Sequence, residues 1–386
     1  TGVFVGTFSV PDYKGSDMEL VYYDSRDAGG SAVQYFDTAT VVSNSGSVAF
    51  DRSVYPVPWG GSSGTTADLY NGAGTAGGNS ESGAVTAWVT VSDADETNDT
   101  LTTGSTTAAG TVLIKHVEGT VSQTCFTAGS IASYDAVSAS YGAELGPLNE
   151  VVIGSSEFEI SMSITETLAC ATATVTIQAG DVIQVEYVDT ADDAGSSSTF
   201  YDSSTFDLRT GTLSVDKDVY VMGSDMVITV TDPDLNLDST TCESYAMSLI
   251  EWDSSADSSE LLNQSSFSSN PSSLEETGCD TGVFQTVTTL PVLTVGSGNP
   301  EYGESVTLTY VDSGLSGESD VNGDKADIET TFSISNFGAI VELDKALYNW
   351  TDTVYITITA PDHNNNSAAE ETIGTSALPI QVTSRN

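Results

Sequence analysis

The sequence predicts an all-β protein built from repeated sandwiches, on three observations: period-two alternation, a composition poor in helix formers, and an internal repeat. Met226-Val227-Ile228-Thr229-Val230-Thr231 and Val354-Tyr355-Ile356-Thr357-Ile358-Thr359 alternate apolar and polar residues. Half-buried strands read this way. Ala87-Trp88-Val89-Thr90-Val91 repeats the alternation nearer the start, and no segment has a 3.6-residue apolar stripe with caps. Ser, Thr, Gly, Asp and Val dominate, Leu and Lys are scarce, and Tyr reaches 16. That balance favours strands over helices.

Two motifs alternate along the chain. One is a strand ending in Tyr-x-Asp: Tyr22-Tyr23-Asp24, Tyr187-Val188-Asp189 and Tyr310-Val311-Asp312. The other is an Asp-basic-x-x-Tyr element: Asp51-Arg52-Ser53-Val54-Tyr55, Asp216-Lys217-Asp218-Val219-Tyr220 and Asp344-Lys345-Ala346-Leu347-Tyr348. From Asp24 to Tyr55 is 31 residues, from Asp189 to Tyr220 is 31, and from Asp312 to Tyr348 is 36. A fixed register of this kind marks one structural unit used several times. Short strands divided by Gly, Ser, Asn and Asp turns, without helices between them, point to tandem immunoglobulin-like β-sandwich domains.

In chain order, residues 1–42 read as the last part of one unit and its connection. Residues 43–207 and 208–335 read as two units, and 336–386 as the start of another. The first unit is long for its class, and 60–83, rich in Gly and Ser, reads as a surface loop within it. The chain opens on Thr1 rather than Met, so we expect an excerpt of something longer.

Charge narrows the function. Against 55 Asp and Glu stand 9 Lys and Arg, a formal net charge of −46. Nucleic acid would be repelled, and small cations are the expected partners. Apolar residues at 39% are enough for folded cores, so the acid is no mark of disorder. No run approaches the ~18 apolar residues of a membrane helix.

Two catalytic fingerprints are rejected. Gly72-Ala73-Gly74-Thr75-Ala76-Gly77 has the dinucleotide-binding spacing, but that loop must leave a strand and open a helix. Gly60-Gly61-Ser62-Ser63-Gly64 has the nucleophile-elbow spacing, which also needs a helix and a partner histidine. The chain has His116 and His363 alone, both in strand or loop contexts. Paired acids occur throughout in turns expected to be wet, unlike the dry pocket of a glycosidase acid. Trp88 and Trp350 fall at strand positions, where core packing is expected. No enzyme is read here.

The acidic clusters carry the better signal. Asp232, Asp234, Asn236 and Asp238 alternate in one loop, as do Asp93, Asp95 and Asp99. Asp189, Asp192 and Asp193 follow one Tyr-x-Asp strand, with Asp24 and Asp27 in the matching place. Asp320-Val321-Asn322-Gly323-Asp324 resembles the start of a calcium loop, though Lys325 stands where its glycine belongs. Like charges ~4 Å apart cost ~1 kcal/mol per pair even in bulk water, and calcium bound by oxygen is the expected relief. The competing reading is a solvated, screened acidic surface.

Thr281-Gly282-Val283-Phe284, Asp232-Pro233-Asp234-Leu235-Asn236, Leu343-Asp344-Lys345 with Tyr348-Asn349-Trp350-Thr351-Asp352, and Ala360-Pro361-Asp362-His363-Asn364 together resemble the surface-layer proteins of ammonia-oxidising archaea, the Nitrosopumilus-like group. The resemblance is strongest over 208–366. In the first unit Ser92-Asp93-Ala94-Asp95 replaces Asp-Pro-Asp. It implies tandem Ig-like domains that self-assemble into a porous two-dimensional lattice coating the cell, an acidic coat that concentrates cations such as ammonium. The alternative is a cell-surface adhesin or other ligand-binding Ig-like repeat protein.

Cysteines fall two to a unit. Four allow three pairings, and the domain reading selects Cys125–Cys170 and Cys242–Cys279. Without zinc-type His–Cys spacing, disulfides of an oxidising, extracellular compartment are expected. Four sequons, at Asn98, Asn263, Asn349 and Asn365, fit an exterior glycoprotein.

Overall fold

The computed structural model describes residues 2–8, 16–59, 83–96, 100–101, 112–128, 143–254, 260–261, 271–290, 303–321, 324–335, 337–374, 376 and 380–383. The Gly-rich stretch up to residue 82, with both rejected fingerprints, lies outside them, as do Asn98, Asp99, Asn263 and Asn322. Among the described residues there are strands and three 3-10 turns but no α-helix. The chain divides into two compact units, 1–55 with 84–207 and 56–83 with 208–386.

In the first unit, Ser47–Phe50, Val85–Ser92, Glu157–Ile164, Leu148–Glu150 and Thr100–Leu101 lie side by side in that order. A second sheet runs Val54–Pro56, Ser198–Asp207, Val182–Asp189, Val112–Glu118, Val121–Ala128, Ala143–Gly146. The alternation in sequence is realised as burial: Val85, Ala87, Val89 and Val91 are fully buried, and so are Val112, Ile114 and Val185. Each such β-branched side chain contributes ~1.5–3 kcal/mol when taken from water.

The second unit repeats the plan. One sheet runs Thr212–Val215, Asp225–Thr231, Val283–Thr289, Ser273–Glu276, Ser244–Ala246, and the other Val219–Tyr220, Ala326–Ile334, Ser305–Asp312, Ile250–Ser254, Glu260–Leu261. In immunoglobulin lettering these are A-B-E-D, with the short Ser244–Ala246 strand added beyond D, and A′-G-F-C-C′. The A′ strand Val219–Tyr220 pairs parallel to the G strand, and the remaining neighbours in these two sheets pair antiparallel. The second core is aromatic: Trp252 and Tyr220 meet Phe332 edge-on, at centroid distances of 5.5 and 5.0 Å.

Thr167–Ala169 pairs Thr174–Thr176 in a short ribbon, and two longer hairpins complete the description. Asp17–Asp24 pairs Val33–Thr40, with Tyr22 opposite Tyr35. Ile340–Leu343 pairs Ile356–Thr359. The first has the register of an F–G hairpin and the second that of an A–B pair. Both leave apolar residues exposed.

Both cysteine pairs are disulfide-bonded, Cys125–Cys170 and Cys242–Cys279. Neither joins a B strand to an F strand, the immunoglobulin pattern. They tie residues 45 and 37 positions apart: Cys125, within the strand Val121–Ala128, to the loop residue Cys170, and Cys242 to Cys279, both in loops. The tryptophan expectation is corrected. Trp350 is 100% exposed in a turn, because it belongs to the hairpin without a facing sheet. Trp88 lies half-buried on the alternating outer positions of its strand, while Trp59 and Trp252 are the buried ones.

Candidate functional site

The two repeat motifs are two hydrogen-bonded locks. In the first, Asp51 donates its N–H to the Trp88 carbonyl (3.1 Å), and its Oδ1 accepts from Trp88 N–H (2.8 Å) and the Tyr55 hydroxyl (2.5 Å). Asp216 does the same with Val227 (3.2 and 2.8 Å) and Tyr220, and Asp344 with Tyr355 (3.1 and 2.9 Å) and Tyr348 (2.6 Å). The lock sits where the chain leaves one sheet for the A′ strand of the other. Burial first, then the bond to Asp, raises the Tyr55 and Tyr220 phenols well above their usual range, so they stay donors. The basic residue also has a place: Lys217 and Lys345 send Nζ over the rings of Tyr220 and Tyr348, at 5.6 and 5.8 Å from the centroids.

The second lock draws three aspartates to one end of each sandwich. Tyr187 donates to Asp93 Oδ2 (2.6 Å), and Tyr310 to Asp232 Oδ2. The Asp of Tyr-x-Asp accepts two backbone N–H groups: Asp189 from Gly46 (2.9 Å) and Ala191 (2.8 Å), Asp312 from Gly211 (2.7 Å) and Gly314 (2.8 Å). The third carboxylate fastens the entering chain, with Asp95 accepting from Asn44 N–H (2.9 Å) and Asp234 from Arg209 N–H (2.8 Å). Gly46 and Gly211 are required by space. A Cβ on Gly46 would lie 2.6 Å from the Tyr187 ring, and one on Gly211 2.9 Å from Asp232 Oδ2.

Asp232, Asp234 and Asp312 are almost wholly buried. Burial, then the neighbouring Asp312 charge, pushes Asp232 up to about 7. Burial, then Asp232, pushes Asp234 up to about 9, against the opposing effect of its bond from Arg209 N–H. Protons shared in the buried cluster relieve its repulsion.

These geometries bear on the fit of calcium. Among the described residues no group of three or more His, Cys, Asp or Glu is disposed to hold a metal ion. Oxygens that calcium would use accept protein hydrogen bonds instead. Both oxygens of Asp232 and of Asp312 do so. The loop acids behave alike: Asp24 accepts from Arg26 N–H, Asp27 from Ser31 N–H, and Asp192 from Ala194 and Ser196 N–H. Asp192 is held below the usual carboxylate range, first by the Ser198 hydroxyl. Asp193 pairs with the Ser45 hydroxyl (3.0 Å), and Asp238 caps Thr240. Asn236 donates Nδ2–H to Asp280 Oδ1 (3.2 Å). Asp320 is half-buried and Asp324 exposed. Among the described residues the acids do not stand as a ready calcium cage.

One feature gave no sequence signal. Glu243 and Glu276, far apart in the chain, meet beside the second disulfide. Glu276 accepts from Thr281 and Gly282 N–H (2.7 and 2.9 Å), and Glu243 from Leu237 and Asp238 N–H. Burial first, then Glu276, pushes Glu243 up to about 7. Of the sequons, Asn349 and Asn365 are exposed. The backbone at Asn365 is engaged, its carbonyl accepting from Asp225 N–H (2.6 Å).

The fold and the two locks define a protein of tandem immunoglobulin-like β-sandwiches with hydrogen-bonded, acidic strand ends. No family model matches the sequence, and no curated protein does. Among solved structures it is similar to the Escherichia coli adhesin FdeC, at 12% identity and a TM-score of 0.20, covering 84% of this chain and 75% of that one. It is also similar to the D1–D4 ectodomain fragment of ICAM-5, at 10% identity and a TM-score of 0.19, covering 85% and 64%. At those scores neither likeness bears on function. No helix among the described residues is long and apolar enough to cross a membrane.

Proposed function

We propose that this chain is a structural stretch of an extracellular, cell-surface coat, in which Ig-like units in series are the building blocks of a self-assembling layer. The observation that supports it most is the Asp–Tyr lock, made with the same atoms at Asp51, Asp216 and Asp344. A repeat of this kind maintains the geometry of a modular rod, because its recurring atoms hold backbone. Two disulfides suit an oxidising exterior. The resemblance to archaeal surface-layer proteins in residues 208–366 adds the lattice. Electron microscopy of purified protein adsorbed on a lipid or carbon support tests it: a regular two-dimensional array is expected, and dispersed particles under every ionic condition tried would count against a coat.

A second reading, an adhesin, is favoured by the outward-facing Tyr23 and Phe36 of the first hairpin, which are strongly exposed. Binding to glycans or host cells that is lost on Tyr23→Ser with Phe36→Ser would select it. Calcium is retained only as a proposal for the loop acids Asp24, Asp27, Asp192 and Asp193, whose present hydrogen bonds an ion would have to displace. Calorimetric titration giving no saturable heat at physiological salt would remove it. Ammonium and other small cations are proposed to gather at the acidic walls as a mobile, screened layer.

A further inference from the structure

In the second sandwich two like charges stand opposite each other between the D strand and its neighbour. Ser244 pairs Glu275, Tyr245 pairs Leu274 and Ala246 pairs Ser273. One step further in that register Glu243 opposes Glu276. Glu276 N–H donates to the Glu243 carbonyl (3.0 Å), and Glu243 N–H donates to Glu276 Oε2 (3.3 Å). Directly opposed residues of an antiparallel pair hold their Cβ atoms ~4.5–5.5 Å apart, and like charges so placed repel. Period two puts both glutamates on the face of buried Tyr245 and Leu274, where little water screens them. Glu276 is itself buried, and Glu243 Oε2 is buried and receives no donor among the described residues.

Each carboxyl also holds a loop. Glu243 Oε1 accepts from Leu237 and Asp238 N–H (2.9 and 2.6 Å), and Glu276 Oε1 from Thr281 and Gly282 N–H (2.7 and 2.9 Å). The first loop ends at Cys242 and the second contains Cys279, so the disulfide joins them just beyond the opposed glutamates. The first sandwich builds the same turn without the bond. There Glu150 Oε1 accepts from Ser156 N–H (3.0 Å), and Val151 N–H donates to Glu157 C=O as Thr277 N–H does to Val283 C=O (2.8 Å each). Val152 and Ile153 then occupy the places of Gly278 and Cys279. The turn therefore needs no disulfide, and the covalent link is an addition made where the two glutamates meet. It is also the accessible one: Cys242 and Cys279 are exposed, whereas Cys125 is fully buried.

We propose that Cys242–Cys279 is a redox-operated clasp, closed against the repulsion of Glu243 and Glu276. Once it is reduced, the two loops part while both glutamates are ionised and stay together while one holds a proton. Reduction needs an external thiol or phosphine. The S–S bond breaks, two electrons and two protons are taken up, and two cysteine thiols result; with a phosphine, the oxygen of one water ends on phosphorus. The charged groups nearby are Asp238 in the first loop, Glu275 on the D strand and Asp280 in the turn, and they add to the repulsion. Burial first, then Glu276, pushes Glu243 up to about 7. Burial would raise Glu276 as well, but the N–H groups of Gly282 and Thr281 outweigh it and hold that carboxyl low. The pair thus carries one charge below about pH 7 and two above it. The clasp goes beyond the coat reading and does not depend on it.

Hydrogen exchange at the amides of Leu237, Asp238, Thr281 and Gly282 tests it, in the 386-residue chain at pH 5.5 and 8.0, corrected for intrinsic rates. The oxidised chain is expected to protect these amides at both pH values. Cys242→Ser with Cys279→Ser stands for the reduced state without a titrating thiol. It is expected to match the oxidised chain at pH 5.5 and to exchange at least about tenfold faster at pH 8.0. Adding Glu243→Gln, which keeps an acceptor for Leu237 and Asp238 N–H and removes the charge, is expected to restore protection at pH 8.0. Titration of the buried Asp232 and Asp234 acts with or without the disulfide and cancels in the comparison. A second measurement needs no refolding. The folded, unaltered chain is treated with a phosphine and alkylated, and Cys242 and Cys279 are expected to be labelled before Cys125 and Cys170, with the same pH-dependent loss of protection. Equal protection at both pH values without the disulfide overturns the proposal. So does opening at both, and so does opening at pH 8.0 that survives Glu243→Gln.

Discussion

Tyr310 and Tyr187 place a phenol hydroxyl on a buried carboxylate, and each belongs to a strand whose sequence alone marks it. Replacing Tyr310 by Phe keeps the ring and strands Asp232 Oδ2 in a dry site, so a loss of ~1–3 kcal/mol is expected in denaturant unfolding of the second unit. Tyr201→Phe, on an exposed position, is the control and is expected within ~0.5 kcal/mol of the unaltered chain. The same cluster sets a pH dependence. Folded Asp232 and Asp234 titrate near 7 and 9, above the ~4 of an unfolded carboxyl. Between those values the folded state holds more protons than the unfolded one, so this contribution to stability is full at low pH and is lost as pH rises from about 4 to 9. Thermal melts in chelator at pH 5, 7 and 9 are expected to show the second unit's transition falling. Asp234→Asn, which keeps the acceptor for Arg209 N–H and removes the charge, is expected to flatten that fall. An equally steep fall in the variant would show that the cluster does not set it.

Elements were legible in the sequence to the degree that they were local. The alternation of Asp225–Thr231 and Val85–Ser92 follows from period two, and the Asp-basic-x-x-Tyr repeat marked one recurring unit. Long-range pairing was not legible. Nothing in the text of the chain says that Gly46 gives its N–H to Asp189, 143 positions on, or that Glu243 meets Glu276. Many of the acids that read as metal ligands also accept from nearby N–H groups, since Asp and Asn in tight turns bond their own backbone readily. Trp350 misled because it falls in the turn between the two strands of its hairpin, outside the alternating run Ile356–Thr359. The disulfides belong to this scale, because one staples a strand to a loop and the other two loops, each within one unit. Closing loops of this size contributes ~4 kcal/mol by the chain-entropy model. Reduction is expected to lower both unfolding transitions, and non-reducing peptide maps to join Cys125 only with Cys170 and Cys242 only with Cys279. A peptide linking the two pairs would break the assignment of one disulfide to each sandwich.

At the scale of the whole molecule, the charge opposes the fold that the locks hold together. A net charge of −46 on 386 residues, with 9 basic side chains, raises the electrostatic self-energy of any compact state relative to an expanded one. The locks meet that cost locally, by giving carboxylates backbone N–H donors, and cannot meet it over distances of tens of ångströms. Dissolved salt must supply the rest. The Debye length is ~30 Å at 0.01 M, ~8 Å at 0.15 M and ~3 Å at 1 M ionic strength. Repulsion across a sandwich is therefore felt at the first value and is largely gone by the second. Both thermal transitions are expected to rise with NaCl, most of the rise coming below about 0.15 M, with little gained from there to 1 M. Sodium and potassium should act alike, because a screened layer does not distinguish them. The buried cluster of the second unit should follow pH rather than salt, since burial and not distant charge is the largest cause of its shift. Melting temperatures measured by calorimetry from 0.01 to 1 M salt, at fixed pH and with chelator present, provide the check. A flat profile would mean that the acids are already neutralised within the fold, and the acidic surface would then have no excess field with which to gather cations.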